Sequence, residues 1–139
     1  MPRQLSIDVE DAPIITGTTR LGYETPLANH NDNYSVYVPG YLDPPEDGCK
    51  PGDLFPSLKH GKIFVHNHRQ WIVWHCRPDK PTYHPVYLAS YLLFPTKLGP
   101  QWVPVPRGRE KRKFFYAYRR IANKPDIEMQ CMNRIKHHN

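Results

Sequence analysis

The residues predict an α+β domain: mostly antiparallel sheet or a small open barrel of five to seven strands, with a basic amphipathic helix near the carboxyl end packed across it. Three observations carry this expectation. Gly61 to Cys76 (GKIFVHNHRQWIVWHC) holds two five-residue β-rich runs around a polar connection. His84 to Pro106 carries a second pair of apolar runs separated by PTKLGP. Residues 109–124 instead separate apolar from cationic positions with the period of a helix.

Residues 1–13 are polar, mixed in charge and end at Pro13, and are expected to form a mobile arm ahead of a single domain over 14–139. Ile14 to Leu21 (IITGTTRL) and Tyr34 to Val38 (YSVYV) are rich in β-branched and aromatic residues and bounded by turn formers, so each predicts a short strand. TPLANHNDN between them is turn-forming. The stretch from residue 39 to residue 53, PGYLDPPEDGCKPGD, contains four prolines and three glycines and predicts a long loop.

In the hairpin, NHRQ makes a four-residue loop. Pairing His66 with Trp71 sets Val65 opposite Ile72, Phe64 opposite Val73 and Ile63 opposite Trp74. Both faces are then largely apolar, which places the hairpin near the centre of the core. The next apolar run, within HPVYLASYLLFPTKLGPQWVPVP, admits strand or short helix; the PTKLGP turn favours strand and a second hairpin. Pro104 suits a strand end because it donates no ladder hydrogen bond.

On a helical wheel, Phe114, Phe115, Ala117, Tyr118, Ile121 and Ala122 fall within an arc of about 160°, opposite Arg112, Lys113, Tyr116, Arg119, Arg120, Asn123 and Lys124. This predicts a helix from Arg109 to Lys124, stopped by Pro125. PDIEMQCMNRIKHHN can form one more short helix.

The formal charge of +6 conceals an asymmetry. Residues 1–60 hold four Lys/Arg against nine Asp/Glu, a net of −5, and the remainder holds 15 against four, a net of +11. Such a division marks an electrostatic interaction surface or two regions that dock on each other. The stretch RGREKRKFFYAYRR, 107–120, alone carries seven cations and one Glu.

Several classes are excluded by composition. The longest nearly continuous apolar run, Val86 to Phe94, is far short of the roughly 20 residues of a membrane-spanning helix, so no membrane partner is expected. The first residues carry acids and lack an apolar stretch with a small-residue cleavage site, so an intracellular protein, cytoplasmic or nuclear and not secreted, is expected. Three cysteines without CxxC spacing suggest neither a disulfide framework nor a cysteine-rich zinc site. No P-loop, GxGxxG or GxSxG string occurs.

The expected function is non-catalytic binding of nucleic acid, or of a nucleic-acid-associated or other acidic partner. The residues expected to carry it are Arg107, Arg109, Arg112, Lys113, Tyr116, Arg119, Arg120 and Lys124. Cations along one helix face can follow a phosphate backbone and release its counterions, while an exposed aromatic stacks or donates. The competing account is a solvated helix face, or one neutralised by the acidic first part.

An alternative from another class is a small metal-dependent or acid–base enzyme built on His66, His68, His75 and His84. An HxH pair with a third imidazole is a common way to hold zinc or non-haem iron. Against it, His66 and His68 fall at the hairpin turn and no carboxylate follows within four residues, so no metal and no cofactor is expected. A third alternative is self-association, the acidic segment of one copy meeting the basic helix of another. Trp71, Trp74, Trp102, Tyr34, Tyr37 and Tyr41 could line a pocket for a flat or cationic ligand, but core packing accounts for the tryptophans more simply. KPGDLF, Lys50 to Phe55, resembles the GDL(V/F) opening of a strand in SH3-like barrels of the PWWP and Tudor kind. That resemblance spans six residues and transfers no site residue.

Overall fold

The structure is a computed structural model that describes residues 5–6 and 21–138. Of the expected arm over 1–13 only Leu5–Ser6 is described, as strand β1. The strand expected over Ile14 to Leu21 lies outside the described residues except for its last position. The strands that follow are β2 (Leu21–Pro26), β3 (Asn33–Tyr37), β4 (Leu54–Ser57), β5 (Lys62–His66), β6 (Trp71–Val73), β7 (Tyr83–His84), β8 (Leu88–Thr96) and β9 (Gly99–Pro104). Two helices end the chain, α1 (Arg109–Ala122) and α2 (Ile127–His138).

The α+β class and the predominance of antiparallel pairing hold. The strands form two sheets, ordered β1-β2-β3-β4-β5-β6 and β7-β8-β9, and no barrel closes. Among the described residues the nine strands exceed the expected five to seven because β1 and β7 have two residues each, too few to show a hydrophobic period.

One pair in the first sheet is parallel, β3 with β4, with Val36 opposite Leu54. A parallel neighbour requires the chain to cross back over the sheet, which takes a dozen or more residues. The Pro/Gly-rich loop supplies that crossover, so its length follows from topology. It is fastened as it runs: Leu58 N–H donates to the Gly40 carbonyl at 2.8 Å, and Trp71 Nε1–H donates to the Pro45 carbonyl at 2.9 Å.

The β5–β6 register is the expected one, with Phe64 opposite Val73, Val65 opposite Ile72 and His66 opposite Trp71. Its position in the sheet is not. β6 is the last strand of the sheet order and Ile72 is 40% exposed, so only β5 is central. The apolar alternation could not reveal this, because an edge strand that packs one face and half covers the other reads like an interior one. β8 and β9 form the second expected hairpin, with Pro104 as the last residue of β9, opposite Tyr91.

The core lies between the two sheets and beneath the helices. Tyr34, Val36, Leu54, Ile63, Val65 and Trp74 of the first sheet and the segment after it meet Tyr91, Leu92, Leu93 and Trp102 of the second. From the helices come Tyr118, Ala122, Ile127, Cys131, Met132 and Ile135. Helix α1 rests on β8 through Phe94, whose ring centroid is 5.4 Å from that of Phe114 and 5.8 Å from that of Tyr118. Its end is set by Lys124 N–H donating to the Ile121 carbonyl just before Pro125, whose ring cannot continue a helix. Helix α2 is tied at both ends. Glu128 Oε2 accepts from the Cys76 backbone N–H at 2.7 Å, and Arg134 donates to the Thr96 carbonyl at 2.9 Å.

Gly52 and Asp53 join the sheets. Gly52 has φ +98°, and a Cβ there would lie 2.6 Å from His84 Nε2, so only glycine lets the β7 histidine seat against this backbone. The Gly52 carbonyl accepts Trp102 Nε1–H from β9 at 2.8 Å, and its N–H donates to the His66 carbonyl of β5 at 2.8 Å. The Asp53 carboxyl, 2% exposed, accepts the Ser35 N–H of β3 and the Lys50 N–H of the crossover, both at 2.9 Å. β4 opens at Leu54, directly after this pair.

Two substitutions test this junction by urea unfolding. Gly52→Ala combines a positive-φ penalty with a clash and is expected to cost about 3 kcal/mol or more. Asp53→Asn leaves one of two buried N–H groups without an acceptor and is expected to cost about 1–3 kcal/mol. An Asp53→Asn protein as stable as the parent would show that the carboxyl does not clamp β3 to the crossover.

Candidate functional site

Helix α1 forms where the wheel placed it because its apolar residues at 114, 115, 118, 121 and 122 share one side and bury against β8. Burial of that side fixes what the other presents. Arg107, Arg109, Arg112, Lys113, Tyr116, Arg119, Arg120 and Lys124 are all exposed, Tyr116 by 64%. At 100° per residue, Arg109, Arg112, Lys113, Arg119 and Arg120 span an arc of about 120° with Tyr116 at its centre, and Glu110 falls about 60° beyond its edge.

The acidic first part does not neutralise this stripe among the described residues. The ion pairs there are Lys50 with Asp32 at 2.8 Å and Lys59 with Asp43 at 3.1 Å, both internal to the acidic part, and no α1 cation takes part in one. Asp8, Glu10 and Asp11 lie outside the described residues.

The four histidines are not assembled into a site. His66 ends β5, buried, with its ring edge-on to Trp71 at 4.9 Å and Nδ1 without a partner; burial pushes its pKa down. His68 sits on the hairpin loop, exposed, its Nε2 donating to the Pro85 carbonyl at 2.9 Å. His75 is exposed beyond β6. His84 is 2% exposed, between Gly52 and the Trp102 ring, whose centroid lies 4.8 Å away. Among the described residues no three His, Cys, Asp or Glu side chains are placed to hold a metal. His66 and His68 part because alternate residues share a face only while the strand lasts, and β5 stops at His66, at the turn where the sequence set them.

Of the aromatic set, Trp74, Trp102, Tyr34 and Tyr37 are buried, Trp71 is half-buried against Tyr37 and Phe55, and Tyr41 is 72% exposed. They are core and loop packing. Among the described residues no helix is long and apolar enough to cross a membrane.

Two groupings were not singled out in the sequence. Asp32 accepts from Lys50 Nζ at 2.8 Å and from the Tyr87 hydroxyl at 2.9 Å, and Lys50 holds its carboxyl down to about 2. His30 stacks on Tyr87 with ring centroids 4.2 Å apart. The second grouping is a surface cavity of about 280 Å³ lined by Val73, His75, Arg77, Lys80, Pro81 and Thr82. Its sequence signal is slight: two cations on either side of Pro78 and Asp79, which read only as a turn.

His84 gives the fold a pH dependence. Its Nδ1 accepts the N–H groups of Val86 and Tyr87 at 3.1 and 3.2 Å, and burial pushes its pKa down from 6.5 to about 4. The unfolded chain therefore binds the extra proton between those values. Stability from the neutral ring is complete above about pH 6.5 and is lost as pH falls towards 4. His84→Asn keeps an acceptor but does not titrate. The parent's stability relative to that variant is expected to fall, on the order of 2 kcal/mol, between pH 7.5 and pH 4.5 in urea unfolding; a constant difference would refute the assignment.

Comparison with protein-family models, with curated proteins and with solved structures finds no match to this chain.

Proposed function

We propose that the protein is a non-catalytic nucleic-acid-binding domain whose contact surface is the outer side of α1. The observation that carries this reading is the open stripe of Arg109, Arg112, Lys113, Arg119 and Arg120 around Tyr116, with no ion pair to any described carboxylate. A cation already paired must give up one partner to gain another; these need not. Neutralising phosphates with them releases condensed counterions, the main source of sequence-independent affinity. Tyr116 can stack on an unpaired base or donate to a phosphate oxygen. Arg107 precedes the helix and Lys124 follows it, extending the positive surface at both ends. Packing of Phe114 and Tyr118 on Phe94 holds the helix in place, so little conformational freedom is lost on binding.

Fluorescence anisotropy with labelled single-stranded and duplex oligonucleotides tests the reading. Binding is expected at low salt, with log K falling linearly with log salt concentration. Arg112→Glu with Arg119→Glu is expected to weaken binding at least tenfold at low salt and to reduce the salt slope by about two. Both positions are exposed, so folding of the double variant can be verified by its unchanged circular dichroism. Equal affinity of parent and variant would refute the role of α1, and no binding by the parent at low salt would refute the reading itself.

A further inference from the structure

The cavity between the end of β6 and the start of β7 is built differently from the α1 stripe. Three residues with nitrogen-bearing side chains, His75, Arg77 and Lys80, line it together with Thr82, and Val73 and Pro81 supply an apolar wall. No carboxylate is among these lining residues, and none of the three takes part in an ion pair among the described residues. Asp79 lies at the tip of the turn between Arg77 and Lys80 but does not line the cavity. A second cavity, of about 330 Å³, makes the contrast: Lys62 and Lys124 share it with Asp126 and Glu128, so its charges offset one another.

The backbone under the cationic cavity is fixed from several sides. Arg77 and Lys80 face each other across an isolated antiparallel bridge, which sets both side chains on one tight turn. The Tyr118 hydroxyl of α1 donates to the Arg77 carbonyl at 2.7 Å. The preceding residue, Cys76, is held by Glu128 of α2, and the Thr82 carbonyl accepts the Leu93 N–H of β8 at 2.9 Å. Cationic groups on an already ordered backbone are what an anion site requires, since ordering them at the moment of binding would consume most of the electrostatic gain.

We propose that this cavity binds a phosphate group, with the Arg77 guanidinium and Lys80 ammonium taking its charge and the Thr82 hydroxyl donating to one oxygen. Arginine offers paired donors in a planar fork that matches two phosphate oxygens, and lysine adds a point charge. The volume lies just below the usual range for small-molecule sites, so the ligand is small: a phosphomonoester whose attached sugar or ring lies along Val73 and Pro81. Such a group could come from free phosphate or a mononucleotide, or from the terminal phosphate of a nucleic acid. The site does not depend on the reading of α1.

Amide chemical shifts followed by NMR while inorganic phosphate is added at constant ionic strength, with chloride as control, test the site. Phosphate is expected to shift His75, Arg77, Lys80 and Thr82 in a saturable manner, and Arg77→Ala with Lys80→Ala to abolish saturation while the rest of the spectrum persists. Shifts that match chloride, or saturation retained in the variant, would overturn the proposal. A second arm compares oligonucleotides with and without a 5′-phosphate. A preference of fivefold or more for the phosphorylated end, lost in the Arg77/Lys80 variant and kept in the Arg112/Arg119 variant, identifies the terminal phosphate as the source. Saturation by phosphate without that preference identifies a free small ligand, and failure of all oligonucleotide binding alongside phosphate saturation refutes the α1 reading alone.

Discussion

The junction at Gly52 and Asp53 is the constraint on which the remaining architecture depends. Two sheets without a shared strand must be held in register by something other than a ladder, and here the Gly52 backbone does so beside the Trp102–Tyr34 and Tyr87–Asp32 hydrogen bonds. Gly52 brings its backbone against the His84 ring and caps Trp102, both from the second sheet. Asp53 turns its carboxyl the other way, onto β3 and the crossover. The carboxyl is deeply buried, and burial pushes its pKa up to about 6 although two N–H donors act against the rise. The cost of burying it is offset by satisfying two backbone donors that the crossover would otherwise leave unpaired.

That junction also determines where the positive surface lies. With the first sheet anchored to the second, β8 is held by the core on one side, and its Phe94 provides the seat for Phe114 and Tyr118. The cationic side of α1 is thereby turned outward, while Tyr118 reaches past the helix to hold the Arg77 turn. The charge asymmetry of the chain becomes a spatial one. The described acids that form ion pairs do so within their own part of the sequence, so the positive excess of the second part is left to face solvent.

What could be read from the residues follows how local each determinant is. Helix α1 was legible because its apolar side, its cations and Pro125 all lie within one stretch. The β5–β6 register was legible because a four-residue connection allows few pairings. Of β4 only the opening was legible, in the strand-entry resemblance of KPGDLF; its parallel pairing was not, since Leu54–Ser57 is short, contains Pro56 and takes a partner 18 residues earlier in the chain. The alternative of a histidine site falls for the same reason: four of one residue type between positions 66 and 84 suggest a cluster, but the turn at His68 and the junction at Gly52 send them to different surroundings. The Arg77–Lys80 cavity depends on α1 and α2 holding a proline-containing turn, a contact among segments far apart in sequence.

Two of the 16 prolines act at a sheet margin. β1, β6 and β7 sit at margins and have two, three and two residues, too few to template a further strand. The remaining margin, β9, is six residues long, but Pro100 and Pro104 remove two of its backbone donors. Among the described residues each margin strand is thus short or interrupted by proline. Copies of the chain can therefore crowd together without these margins joining edge to edge.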